Sequence, residues 1–184
     1  VHIERDDTFN AFAMPGGVLM IHTGMLEQVE DEAELVAILG HEVAHVELRH
    51  TVAGYQLARA ILGEDVDEGA ILAHMLRTPI SSGNELEADD YGLELAAKAQ
   101  WDPTAAMRLW KRMGHGGEAR APTDLITGIF DAMDELVETH PPGATRCFRA
   151  MQTAARLRES LGFDRYYRGA TNLRTLTPGP KAPH

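Results

Sequence analysis

The stretch Ile38 to His50, ILGHEVAHVELRH, sets His41, Glu42 and His45 within five residues of one another inside a run of alanine, valine and leucine. Four residues of α-helix advance about 400°, so side chains four apart sit about 40° from one another, one turn along the same face. Both imidazoles can therefore reach one ion. Zinc suits them, because imidazole nitrogen binds it at about 2.0–2.1 Å and a catalytic zinc takes three protein ligands while leaving a position for water. The pattern supplies two of the three. The competing reading is a helix whose charged face merely meets solvent, and Glu42 speaks against it. On a helical wheel Glu42 falls among Leu35, Leu39 and Val46, where an ionised carboxylate without a partner is costly. Either a cation lies near Glu42 or it lines a cleft where it does chemistry, and in an HExxH site that chemistry is to take a proton from the attacking water as general base.

The third ligand must come from elsewhere, and NELEADDYG, Asn84 to Gly92, offers Glu85 and Asp89 on one helical face. The same face continues through Ala88, Gly92 and Ala96. Small residues there let this helix approach the histidine-bearing helix closely enough for a short carboxylate to reach. Asp89, one turn on from Glu85, is suited to accept the free ring N–H of a ligand histidine and fix its direction. Glu87 points away by the same geometry, which makes Glu85 the preferred ligand. With nine histidines in the chain, HExxH alone is a moderate signal. The downstream ExxxD on a small-residue helix sharpens it. A metzincin would carry glycine and histidine where this chain has Leu48 and Thr51, and His50 is off that register by one. A deformylase-type site would need a cysteine upstream, whereas Cys147 lies far downstream.

These residues need elements to hold them. PheAsnAlaPheAlaMet, Pro15-Gly16-Gly17 and Val18 to His22 predict a β-hairpin, and strands are confined to this end. From Glu30 to Thr51 the spacing predicts one helix, opened by Asp31 and Glu34 in the manner of a capping box. Further helices are predicted at Val52 to Leu62, at Asp67 to Arg77 before Pro79, and onward from the serines ahead of Asn84 to Gln100. Another has Asp102 as N-cap, Pro103 at its first position and Gly114 past its end. Helices near Asp124 to Glu138 and Arg146 to Leu161 follow. The expected fold is α+β and predominantly helical, with residues 1–165 as one domain and 166–184 as a proline-rich flexible tail.

At 184 residues, with 44% hydrophobic and 24% charged residues, the chain suits one globular domain. Its net charge of -11 repels polyphosphate, and no Lys/Arg-rich run offers a local exception, so nucleic acid is not an expected partner. Apolar runs such as GVLMI fall far short of the roughly 20 residues a membrane-spanning helix needs. The start at Val1, with neither methionine nor an apolar leader, is compatible with a trimmed chain whose targeting signal is absent. Cys147, the single cysteine, cannot form an internal disulfide.

The sequence resembles the zinc metallopeptidase family that contains the membrane protease HtpX, the CAAX prenyl proteases and the periplasmic protease BepA. The resemblance rests on NAFAMPGG (Asn10 to Gly17), HEVAHVELRH (His41 to His50), NELEADDYG (Asn84 to Gly92), WDPTAAMRLW (Trp101 to Trp110) and THPPGATR (Thr139 to Arg146), in family order. It implies a gluzincin fold, one zinc ion on His41, His45 and Glu85, Glu42 as base, and the hairpin as an edge on which an extended polypeptide lies. It also implies that His140 or Arg146 faces the metal, either donating to the oxyanion or, for His140, occupying the open zinc position and silencing the site. The competing reading makes HPPGATR a helix N-terminus with Arg146 paired to a surface acid. The implied compartment is the cell envelope or periplasm. The spanning helices and repeat domain of some relatives are missing from this chain.

His22, His50, His74 and His115 lack a partnered spacing and are read as structural or surface residues. The methionines, Trp101 and Trp110 are read as core filling. Three functions compete: a zinc endopeptidase acting on extended or misfolded polypeptides, a self-inhibited or chaperone-like polypeptide-binding module with a plugged zinc site, and a hydrolase of small amides.

Overall fold

A computed structural model describes residues 1–63, 65–78, 80–114, 144–162 and 165–169. Strands β1 (His2–Glu4), β2 (Ala11–Met14) and β3 (Val18–His22) come first. They are followed by helices α1 (Thr23–Gln28), α2 (Glu32–Glu47), α3 (His50–Leu62), α4 (Glu68–Arg77), α5 (Ser82–Lys98), α6 (Ala105–Gly114) and α7 (Ala144–Leu161). The domain is α+β and mostly helical. No described helix is long and apolar enough to cross a membrane.

The expected hairpin is β2 and β3, antiparallel, with Met14 opposite Val18 and Ala11 opposite Ile21. Gly16 and Gly17 turn it at φ of 91° and 82°, a region that glycine enters without steric cost. Strand β1 was not expected. It pairs parallel to β3, Ile3 opposite Ile21, which makes β3 the middle strand and leaves β2 at an edge.

Two apolar clusters hold α2 in the centre. Phe9, Ala11 and Ile21 from the sheet region pack with Met25, Ile38 and Leu109, and full burial of a side chain the size of Ile, Leu, Met or Phe contributes about 1.5–3 kcal/mol. The other cluster is built largely of alanine, with Ala33 and Ala37 of α2 meeting Leu93 and Ala97 of α5, Ala105 and Ala106 of α6, and Ala150 of α7. Small side chains keep these axes close. Where α2 and α5 cross, Gly40 faces Gly92. A Cβ on Gly92 would lie 2.7 Å from the Gly40 carbonyl carbon, and one on Gly40 would lie 2.9 Å from the Gly92 oxygen. The Gly92→Ala variant is therefore expected to push the helices apart and to lose about 1–3 kcal/mol of stability, read as a Tm several degrees lower and weaker metal retention; an unchanged Tm would contradict this packing.

The helix expected over Glu30 to Thr51 is two helices. Asp31 caps α2 by accepting the Glu34 N–H at 2.9 Å, but α2 ends at Glu47. Arg49 then takes φ 61° and ψ 22°, a left-handed conformation uncommon for a residue with a side chain, and α3 begins at His50. Neither glycine nor proline marks this break. At the other end of α2, buried Asp31 accepts from Arg108 at 2.8 Å and from Arg168 at 2.9 Å. Arg112 grips Glu34 through both terminal nitrogens. These arginines come from α6 and from the segment after α7. That segment packs on the domain: Ala33 N–H donates to the Arg168 carbonyl, and Tyr167 stacks edge-on against Trp101. The expected tail thus starts with docked residues, while 170–184 lie outside the described residues, as do the helix expected near Asp124 to Glu138 and residue His140. Asp102 accepts from the Thr104 N–H at 3.0 Å, and α6 starts at Ala105 and includes Gly114.

Candidate metal centre

Helix α2 carries His41, Glu42 and His45 on the face turned toward α5, and all three are buried. Helix α5 enters with Ser81 accepting from the Asn84 N–H at 3.2 Å. One residue later it presents Glu85, and a turn further Asp89. The Gly40 and Gly92 contact lies beside this meeting point.

His41, His45 and Glu85 converge, with one donor atom from each within 4.8 Å of the others. The two Nε2 atoms are 3.0 Å apart. His45 Nε2 lies 3.2 Å from Glu85 Oε1, and His41 Nε2 lies 3.4 Å from Glu85 Oε2. Ligands arranged tetrahedrally at about 2.0–2.1 Å from one ion stand about 3.3–3.4 Å apart. The donor set fits a divalent ion in size and in chemistry.

His41 Nδ1 stands 3.0 Å from Asp89 Oδ1, which holds the ring with Nε2 turned to the centre. Arg146, from α7, is buried against the same acids. It donates from Nε to Asp89 Oδ2 at 2.7 Å and from Nη2 to Oδ1 at 2.8 Å, and its Nη1 is 2.8 Å from Glu85 Oε2. Arg146, expected to face the metal as an oxyanion donor or, on the competing reading, to pair with a surface acid, grips two buried acids, one of them from the donor set. Glu42 is buried too and borders a cavity of about 610 Å³, together with His45, His50, Phe12, Leu57 and Ile61.

Burial pushes the His41 imidazole toward the neutral form, yet hydrogen bonds to Asp89 and Glu85, with their charges, outweigh it and hold its pKa up at about 10. Burial likewise opposes ionisation of Asp89, but bonds from His41 and Arg146 keep its carboxyl below the ordinary aspartate range. Without metal, His41 is therefore protonated at neutral pH and must release a proton before Nε2 can bind a cation. Metal uptake is expected to liberate one proton per ion, with affinity rising about tenfold per pH unit until about pH 10, where His41 is already neutral. Calorimetry in buffers of different ionisation enthalpy counts the proton; uptake without release would contradict the protonated His41.

Two residues that the sequence reading gave no part in the site stand beside it. His50 Nδ1 is 3.0 Å from His45 Nδ1, and His50 Nε2 is 3.4 Å from Glu87 Oε2. The sequence reads His50 as structural or surface for want of a partnered spacing, and on a continuous helix a residue five positions after His45 would lie about 140° around the axis. The break at Arg49 brings it back. His22 meets Thr8 through Nδ1, and it borders the large cavity together with His74. His115 lies outside the described residues.

A mostly helical domain that buries two histidines and a glutamate in this arrangement, with a further glutamate beside them, is a metallopeptidase domain. The chain belongs to peptidase family M48, whose model matches residues 1–154. It is 37% identical over 157 residues to the mitochondrial metalloendopeptidase OMA1 of Schizosaccharomyces pombe, covering 79% of this chain and 44% of that protein. The human mitochondrial metalloendopeptidase OMA1 is 32% identical over 167 residues, with 79% and 30% covered. The metalloprotease LoiP of Escherichia coli is 26% identical over 161 residues, with 79% and 58% covered. The chain spans less than half the length of these OMA1 relatives.

Proposed function

We propose that this chain is the catalytic domain of a zinc-dependent endopeptidase that hydrolyses peptide bonds of extended or misfolded polypeptides. The observation that carries this reading is the triangle of His41 Nε2, His45 Nε2 and the Glu85 carboxylate, with Glu42 beside it at the wall of a large cavity. Zinc, when bound, supplies Lewis-acid polarisation of the substrate carbonyl and makes water a nucleophile at neutral pH. His41, His45 and Glu85 would hold it. Glu42 takes the proton of the attacking water and delivers it to the departing amine, a task suited to a carboxylate that is buried yet reaches the cavity. Asp89 fixes the His41 ring, and Arg146 holds Asp89 and Glu85 in place. His140, the candidate plug, lies outside the described residues.

The cavity gives the substrate its place. Phe12 and Ala13 of edge strand β2 form one wall, and Leu57, Ala58 and Ile61 of α3 form another. An extended chain added along β2 gains main-chain hydrogen bonds without demanding a particular sequence. The family resemblance, which takes in a periplasmic protease, supports a setting at the cell envelope, whereas the OMA1 relatives are named as mitochondrial. Zinc-loaded protein is expected to cut unfolded casein into fragments, chelator-stripped protein to leave it intact, and added zinc to restore cutting. Binding without fragmentation would overturn the endopeptidase reading in favour of a polypeptide-binding module, and hydrolysis of small amides alone would overturn it in favour of a different hydrolase.

A further inference from the structure

The geometry points to His50 as a positioning residue of the metal centre, acting through His45 as the acceptor of its Nδ1 proton. This rests on the zinc reading above, since it assigns the outer support of one of the proposed ligands. With Nε2 of His45 turned to His41 and Glu85, the ring's other nitrogen, Nδ1, faces His50 Nδ1 at 3.0 Å. The rings meet edge to face, centroids 5.1 Å apart at 63°. Two imidazole nitrogens at that separation make a hydrogen bond only if one carries a proton and the other does not. A histidine that binds metal through Nε2 keeps its proton on Nδ1, so His45 donates and His50 accepts. His50 must then carry its own proton on Nε2, which faces Glu87 Oε2 at 3.4 Å. The chain of groups runs from exposed Glu87 through a His50 ring left 8% exposed to fully buried His45.

The backbone is shaped for this contact. Helix α2 ends two residues after His45, Arg49 adopts the left-handed conformation, and α3 opens on His50. A side chain that would otherwise point about 140° away is folded back onto the ligand ring. The two proposed histidine ligands consequently have unlike supports: an arginine-bound carboxylate behind His41 and an imidazole behind His45. Outer partners of ligand histidines fix the ring and its tautomer, and their loss weakens metal binding by about 10–100-fold.

The test uses the zinc-loaded chain. In protein labelled with ¹⁵N-histidine, NMR should show scalar coupling between Nδ1 of His45 and Nδ1 of His50 across the hydrogen bond, with the proton on His45. Absence of that coupling, with zinc bound, overturns the assignment and needs no variant. His50→Leu keeps bulk but removes the acceptor, and should raise the zinc Kd by about 10–100-fold. His50→Asn places an oxygen near the position of Nδ1 and should bring Kd back to within a few-fold of the parent. In the cobalt-substituted protein the visible bands should move in His50→Leu and return in His50→Asn. Equal Kd values and spectra for the two variants, or a parent-like His50→Leu, overturn the proposal. Failure of casein cleavage with these patterns intact removes the peptidase reading and leaves this one standing, whereas a parent chain that takes no zinc removes both.

Discussion

Glu42→Gln should bind zinc as the parent does and cut almost nothing. The substitution keeps shape and hydrogen-bonding reach but cannot accept a proton from water, and general-base catalysis of this kind contributes on the order of 10²–10⁴-fold. The expected result is a fall of that size in kcat/KM on a quenched-fluorescence peptide, with metal content unchanged by mass spectrometry. The site's construction makes the separation clean. Glu42 sits beside the donor triangle without belonging to it, so a lost base need not become a lost ion. A Glu42→Gln protein that still hydrolyses at the parent rate would remove Glu42 from the reaction.

Glu85→Gln should do the opposite and lose the ion. Its carboxylate is fully buried, reaches both histidine Nε2 atoms and receives Arg146 at 2.8 Å. A neutral amide is a poor zinc ligand, and the change also deprives His41 and Arg146 of a charge they face. Affinity should fall by more than the roughly 10–100-fold that an outer partner is worth, leaving substoichiometric zinc after dialysis and no measurable cleavage. Stoichiometric zinc in dialysed Glu85→Gln would assign the third ligand elsewhere.

What could be read ahead of the structure was whatever repeats locally. The Pro15-Gly16-Gly17 turn announces itself through residues suited to left-handed backbone, and the hairpin follows. That His41 and His45 share a face, as do Glu85 and Asp89, is a matter of helical period. That the two faces meet was signalled by Ala88, Gly92 and Ala96, although Gly40, the other half of the crossing, drew no notice. Long-range pairings were not readable. Strand β1 is three residues beside a partner some eighteen positions on, and nothing in His-Ile-Glu says so. Asp31 and Glu34 read as a local cap, but their arginines arrive from positions 108, 112 and 168. The end of α2 was missed because Arg49 adopts its conformation under tertiary packing, without a glycine to advertise it. His50 was missed with it. The roles of Glu42, the donor triangle and Asp89 remain those proposed above.

The guanidinium clasped between α5 and α7 enters the charge balance of the site. With Glu42, Glu85 and Asp89 all ionised, three negative charges share one buried spot, and Arg146 answers a single one of them. Without metal a protonated His41 supplies a second positive charge, and a divalent cation that displaces its proton brings the sum to zero in surroundings where stray charge is heavily penalised.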